Sequence, residues 1–184
     1  MLELNLHPFP VLGTERLILR EIVPEDAEIM YAIRMDDRYY QFIDNPQKPT
    51  REEVKEKVQR AIDLSKNNEG ISWGIELKNN SKLIGSVDYW RMIKAHHRCE
   101  IGYMLHPDYY QQGLMYEALM ATIAYAFKHI KLHTIEANIS PENIASIKLV
   151  EKCGFEREGL LKESYLYNGN FLDTAIYCLL NTNN

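Results

Sequence analysis

The sequence predicts a mixed α/β (α+β) fold, with a largely antiparallel central sheet of about seven strands and helices on both faces. Three observations lead there. The strand-like and helix-like segments follow the order β-α-α-β-β-β-α-β-α-β-β. That order lacks the regular βαβ alternation of a doubly wound nucleotide-binding fold. The chain also closes on two apolar runs joined by Asn168-Gly169, a strong two-residue hairpin signal.

The elements follow in order. Leu17-Ile18-Leu19-Arg20-Glu21-Ile22 reads as the first strand, preceded by Thr14-Glu15-Arg16. Pro24 suits the first position of a helix, with Glu25 and Asp26 in the turn that favours acids. Ile29, Met30 and Ile33 give that helix a buried side. Residues 35–49 are irregular and cluster Tyr39, Tyr40 and Phe42, either a small packing cluster or a wall of an acceptor pocket. Thr50-Arg51-Glu52-Glu53 is a capping box, and Val54, Val58, Ala61 and Ile62 lie on one face of the helix it opens. Strands over residues 71–78 and 82–90 meet at Asn79-Asn80-Ser81, and a further strand spans about 98–106. The helix over 114–130 carries a core stripe of Met115, Leu119, Ile123, Phe127 and Ile130. After a strand over 134–139, Ser140-Pro141 supplies a cap and a first-turn proline. Gly154 ends that helix in a left-handed cap before the apolar Phe155. The closing hairpin pairs 159–167 with 171–180.

The 184 residues are enough for one domain, 1–184, with a sizeable core. A hydrophobic share of 46% and a charged share of 26% are ordinary for a soluble globular protein. The net charge of -5 argues against nonspecific nucleic-acid binding and fits a neutral or cationic partner. Cys99, Cys153 and Cys178 are far apart, and the N-terminus lacks the basic and apolar regions of an export signal. Both features predict reduced thiols in a cytoplasmic protein. No apolar run approaches a membrane span, so no membrane partner is expected. No Cys/His spacing suggests zinc, His129 and His133 straddle a predicted helix end, and no metal is expected. No Walker or dinucleotide fingerprint is present.

The stretch from Pro107 to Ala118 joins an apolar strand, Ile101-Gly102-Tyr103-Met104-Leu105, to a long helix by way of Gly113. A strand that turns over a glycine into a helix leaves backbone N–H groups unpaired at the positive end of the helix dipole. That arrangement suits an anion such as a pyrophosphate, although a plain turn has the same local features.

At this point the residues match a known family. The chain resembles the GNAT superfamily of acyl-CoA-dependent N-acetyltransferases, in its RimJ/RimL-like ribosomal-protein branch. Four stretches carry the resemblance, and together they span roughly residues 14 to 180. They are Thr14 to Arg20; Glu100 to Leu105 followed by Tyr110 to Ala118; Asn143-Ile144-Ala145-Ser146 with Glu151 to Gly159; and Asn168 to Tyr177. The family's loop, Gln/Arg-x-x-Gly-x-Gly/Ala, is matched here only at Gly113, with Tyr110 and Met115 at its two ends. Gln111 stands where this branch often has another glycine.

The resemblance implies acetyl-CoA as cosubstrate, held in a V-shaped gap where the fourth and fifth strands splay. Backbone of Met104 and Leu105 would bond the pantetheine, with Asn143 helping to hold it. Backbone N–H groups of Gln112, Gly113, Leu114, Met115, Tyr116 and Glu117 would hold the pyrophosphate. The acceptor would be a protein N-terminus, a polyamine or another small amine. Direct attack of that amine on the thioester requires a proton acceptor, oxyanion stabilisation and a proton for the leaving thiolate. Glu100 is the expected base, either in that role or as a strand carboxylate paired with Arg98 or Arg91. The tyrosine that many members use as acid is replaced by Val150. Ser146 is expected to bond the CoA sulfur, with Tyr103 as a second acid candidate. The resemblance also implies a homodimer through the terminal hairpin. The rival reading is a noncatalytic acyl-CoA-binding or sensing domain on the same fold.

Overall fold

A computed structural model describes residues 2–42, 47–167 and 169–182, without the side chains of residues 40–42 and 167. The side chains of Tyr40 and Phe42, and Asn168 of the expected hairpin turn, therefore lie outside the described residues. The seven expected strands are β2 (Leu17–Glu21), β3 (Ile71–Leu77), β4 (Leu83–Ile93), β5 (Arg98–Leu105), β6 (Thr134–Ile139), β7 (Glu156–Tyr167) and β8 (Asn170–Leu180). An eighth, β1 (Leu12–Gly13), precedes them; two residues are too short to show a strand period in sequence. The sheet order is β1-β2-β3-β4-β5-β6-β8-β7, antiparallel throughout except between β5 and β6.

Side-chain alternation sorts the helices. Trp73, Ile75, Val87, Tyr89, Cys99 and Ile101 point to one face and form the main core. Against them pack α3 (Leu114–Tyr125), through Leu119 and Ile123, and α4 (Ile144–Lys152), through Val150. The opposite face carries α1 (Asp26–Met35) and α2 (Arg51–Lys66), which close a smaller core with Leu83 and Met104. Helix α3 runs on to Ile130 as a π-helical turn, which accounts for the longer run read in the sequence. Among the described residues, no helix is long and apolar enough to cross a membrane. All three cysteines are buried and free.

The capping box at Thr50 and Glu53 forms as expected. Two helix starts differ. Helix α1 begins at Asp26, not Pro24, because the Asp26 carboxylate accepts from Val23 N at 2.9 Å and binds Arg20. Helix α4 is capped not by Ser140 but by Asn143, whose side-chain oxygen accepts from Ser146 N at 3.0 Å. Gly154 takes the left-handed cap (φ +94°) ahead of buried Phe155, and Gly169 takes φ +79° in the final hairpin. Edge strand β7 is irregular: its register against β8 shifts between Arg157 and Gly159 and again between Leu161 and Tyr165. Within the second shift, Glu163 adopts φ +50° and its amide donates to Asp173 Oδ1 at 2.8 Å.

The parallel pairing of β5 with β6 is brief. It covers Arg98 with Thr134, Cys99 with Ile135 and Glu100 with Glu136. Beyond these pairs β5 stays bonded to β4 and β6 to β8, so the two strands splay and a gap opens between residues 101–105 and 137–139. The β4 side of that gap depends on Gly85. A Cβ built there would sit 2.2 Å from the Met104 carbonyl oxygen, a backbone atom with no freedom to swing away. The Gly85→Ala variant should lose about 3 kcal/mol of stability in denaturant unfolding, at the upper end of ordinary overpacking.

Candidate active site

The gap is entered from the end of β5. His106 N donates to Ile84 O at 2.7 Å, a short 3-10 turn spans Pro107–Tyr109, and two left-handed residues, Gln111 (φ +58°) and Gly113 (φ +75°), deliver the chain into α3. Glycine takes that conformation without strain; glutamine does so at some cost. The amides of Gln112, Gly113, Leu114, Met115 and Tyr116 find no acceptor among the described residues, so five donors gather at the helix start. Glu117 departs from the expectation. Its amide donates to Gly113 O at 3.0 Å and closes the first helical turn. The Leu114 and Met115 side chains are buried in the core, so the bulk at Met115 does not crowd the loop surface.

A carboxylate beside an anion site needs neutralising, and Glu117 is heavily bound. Its Oε1 accepts from Thr14 Oγ1 at 2.6 Å and Arg16 N at 2.8 Å, and its Oε2 from Arg16 Nε at 2.7 Å. Partial burial works against ionisation of Glu117, but these hydrogen bonds outweigh it and hold the carboxyl below its usual value. Arg16 Nη1 also donates to Gln112 O at 2.9 Å and pins the loop itself. This clamp has no local signature in the chain, because its two halves lie about a hundred residues apart. The Lys152 ammonium sits 4.4 Å over the Tyr116 ring and brings positive charge to the same helix start.

Alternation also settles which β5 groups face the gap. The bond from His106 N to Ile84 O makes that pair a hydrogen-bonded one, so Ser86/Met104 and Asp88/Gly102 are hydrogen-bonded pairs too. Their main-chain groups turn toward β4. Those of Ile101, Tyr103 and Leu105 turn toward β6 and, past Glu100, into the gap. The expectation for Leu105 is compatible with this register. That for Met104 is not, and the main-chain groups of Tyr103 face the gap instead.

A cavity of about 260 Å³ fills the gap, walled by β5, β6 and the start of α4. It brings together three residues picked out in the sequence, Tyr103, Asn143 and Ser146. The Tyr103 hydroxyl is buried without a hydrogen bond of ordinary geometry. Burial pushes it up to about 12, against a smaller opposing pull from the Ser146 hydroxyl beside it. The Asn143 side-chain oxygen is occupied in capping α4. Val150, in the place of the family's tyrosine, is wholly buried.

Glu100 lies on the α1/α2 face, and Cys99 on the other, as alternation requires. Its side chain is 11% exposed, and Oε2 accepts from Arg91 Nη1 at 2.9 Å. Arg91 is left-handed (φ +46°), and its guanidinium lies 4.3 Å over the Trp90 ring. Arg98, the other partner considered for Glu100, binds Glu136 instead. Among the described residues, no group of His, Cys, Asp or Glu side chains is placed to hold a metal ion.

Comparisons with known proteins agree with this geometry. The model of the acetyltransferase (GNAT) domain matches residues 16–156. An uncharacterized N-acetyltransferase of Bacillus subtilis, YoaA, is 33% identical over 94% of this chain and 97% of its own length. The [ribosomal protein uS5]-alanine N-acetyltransferase of Escherichia coli is 27% identical over 91% of this chain and 89% of its own. The crystal structure of ribosomal-protein-S5-alanine acetyltransferase from Vibrio fischeri superposes with a TM-score of 0.82 at 28% identity, covering 95% of this chain and 98% of that one. Five free amides at a helix start, a sheet parted beside them and these likenesses lead to one conclusion: the chain belongs to the GNAT acetyltransferase family and is an acetyl-CoA-dependent N-acetyltransferase of the RimJ/RimL-like kind.

Proposed function

We propose that this chain transfers an acetyl group from acetyl-CoA to a primary amine by direct attack in a ternary complex, as one domain in the cytoplasm. The observation that carries the reading is the gap through the sheet, with free amides at one mouth and a buried carboxylate on the opposite face. The amides of residues 112–116 suit a pyrophosphate, and the outward main chain of Tyr103 and Leu105 suits the peptide-like pantetheine arm. Acetyl-CoA supplies an activated acyl carbon. The protein supplies position and proton transfer. Glu100 takes a proton from the acceptor amine; because Arg91 is 65% exposed, its hold on Glu100 can open to solvent and substrate. Ser146 and Tyr103 sit in the cavity where a departing sulfur would need a proton. The ribosomal-protein alanine acetyltransferases and a spermidine acetyltransferase among the relatives support a protein or small-molecule amine as acceptor. Exposed Leu160, Leu161 and Phe171 on the terminal hairpin support pairing of two copies there.

Calorimetric titration with acetyl-CoA, with free CoA and a nicotinamide nucleotide as controls, tests the cofactor half. Micromolar binding of the two CoA compounds alone is expected. Binding without thiol release across a panel of amines would favour the sensing-domain reading instead. Arg16→Ala frees both the loop and the Glu117 carboxylate, so the acetyl-CoA Kd should weaken about tenfold, equivalent to ~1.4 kcal/mol. Glu100→Gln should lower kcat by about a hundredfold or more and leave the acetyl-CoA Kd unchanged. Unaltered turnover in that variant would remove Glu100 as the base.

A further inference from the structure

One residue of β4 breaks the alternation of its side chains. Trp90 pairs with Glu100 and Ile93 with Arg98, so Arg91 and Met92 together oppose the single residue Cys99. This is a bulge with one extra residue. Met92 packs against the main core, on the Cys99 face, so alternation resumes there and Arg91 is the residue inserted. Regular alternation would send the Arg91 side chain to the α3/α4 face, away from Trp90 and Glu100. Its left-handed backbone (φ +46°) folds it back instead. The guanidinium lies 4.3 Å over the Trp90 ring, while Nη1 donates to Glu100 Oε2 at 2.9 Å. A residue with a Cβ adopts that backbone only at a cost, which a plain strand would not bear. Cross-strand partners share a face, so Trp90 stands beside Glu100, and its Nε1 lies 3.7 Å from where a Gly102 Cβ would be. Gly102 lines the cavity in the gap. The indole thus runs from the carboxylate to a residue of the cavity wall. Trp90 and Arg91 are exposed, whereas Glu100 is buried.

Glu100 therefore already holds a cation, and that cation rests on an aromatic face. An alkylammonium is satisfied by the same two groups, an anion on one side and a ring face on another. Arg91 has no partner in the strand register, so its side chain can swing aside with the flanking pairs intact. We propose that Trp90 is a positioning residue for the acceptor, its ring receiving the acceptor's ammonium beside Glu100, and that Arg91 fills this place in the free protein as a built-in competitor. This rests on the acetyl-transfer reading above and on Glu100 as its base. Proton transfer then ends the attraction that brought the acceptor in. An N–H bond of the ammonium breaks as an O–H bond forms on the Glu100 carboxylate. The neutral amine, no longer held to the ring by charge, is free to attack the acetyl carbon. The amide product carries no charge at that nitrogen, so Arg91 regains the ring once Glu100 is ionised again.

Arg91→Asn removes the competitor and keeps a residue that tolerates left-handed backbone. With an N-terminal alanine peptide and with spermidine as acceptors, its KM should fall about fivefold, the worth of one partly exposed cation–π contact, with kcat within a few-fold. Trp90→Leu should raise KM by about fivefold, and Trp90→Phe, which keeps a ring face, should recover most of that loss. Acetyl-CoA titration of each variant checks folding and the cofactor site. A second readout needs no turnover. The chain has two tryptophans and Trp73 is wholly buried, so acrylamide quenching of fluorescence reports on Trp90. Quenching should increase in Arg91→Asn and return toward the unmodified level when methylguanidinium or methylammonium is added. The unmodified protein should not respond to methylguanidinium. An unaltered or raised KM in Arg91→Asn, a Trp90→Phe variant as impaired as Trp90→Leu, or quenching of Arg91→Asn indifferent to both cations would overturn the proposal. Unaltered turnover in Glu100→Gln would instead remove the base. Absence of thiol release from the unmodified protein with every amine would sink the acetyl-transfer reading, and the quenching measurement would still decide what occupies the ring.

Discussion

Three residue pairs hold β5 to β6, and the parting that follows them governs the rest of the structure. Past Glu100 and Glu136, two central strands leave main-chain donors and acceptors facing one another without contact. Buried backbone groups need partners, and a peptide-like ligand can supply them in the manner of a short inserted strand. The same alternation that orients those groups divides the chemistry. Tyr103 points toward α3 and α4, where Ser146 lies, and Glu100 and Asp88 point toward α1 and α2. A ligand in the gap would bond both halves of the sheet, so its binding energy would appear as folding stability.

The anion site proposed at the start of α3 combines free backbone amides with nearby positive charge. Five free amides lie at the helix start, Arg16 and Lys152 stand beside them, and the nearest acid, Glu117, is held by Thr14 and Arg16. One glutamate thus serves two ends. It stabilises the positive end of the helix dipole, and it fastens the turn before β2 to the loop. An unclamped carboxylate there would repel phosphate within a few ångströms.

Local chemistry was legible in the sequence wherever a few adjacent residues decide the backbone. The Thr50 capping box, the Gly154 cap and the turn at Gly113 all appear where the residues implied them. Ser140-Pro141 carried an equally good signal and was passed over, because Asn143 sits one turn later with the better-placed acceptor. What could not be read depends on register across strands. Which main-chain groups of β5 face the gap follows only from the pairing with β4. Two-residue β1 fell below any period. The clamp on Glu117 joins segments with no shared pattern.

The irregularity of β7 has a consequence for the protein in a crowded solution. This strand ends the sheet and bears exposed Leu160, Leu161 and Leu166, which on a flat edge would invite another chain to add itself as the next strand. Two register shifts and the left-handed Glu163 break the row of edge groups and twist it, so no long template for backbone pairing remains. Cross-β growth is thereby discouraged at the place most exposed to it. Pairing of two copies at this hairpin, as proposed above, would depend on side-chain packing, which selects its partner by shape.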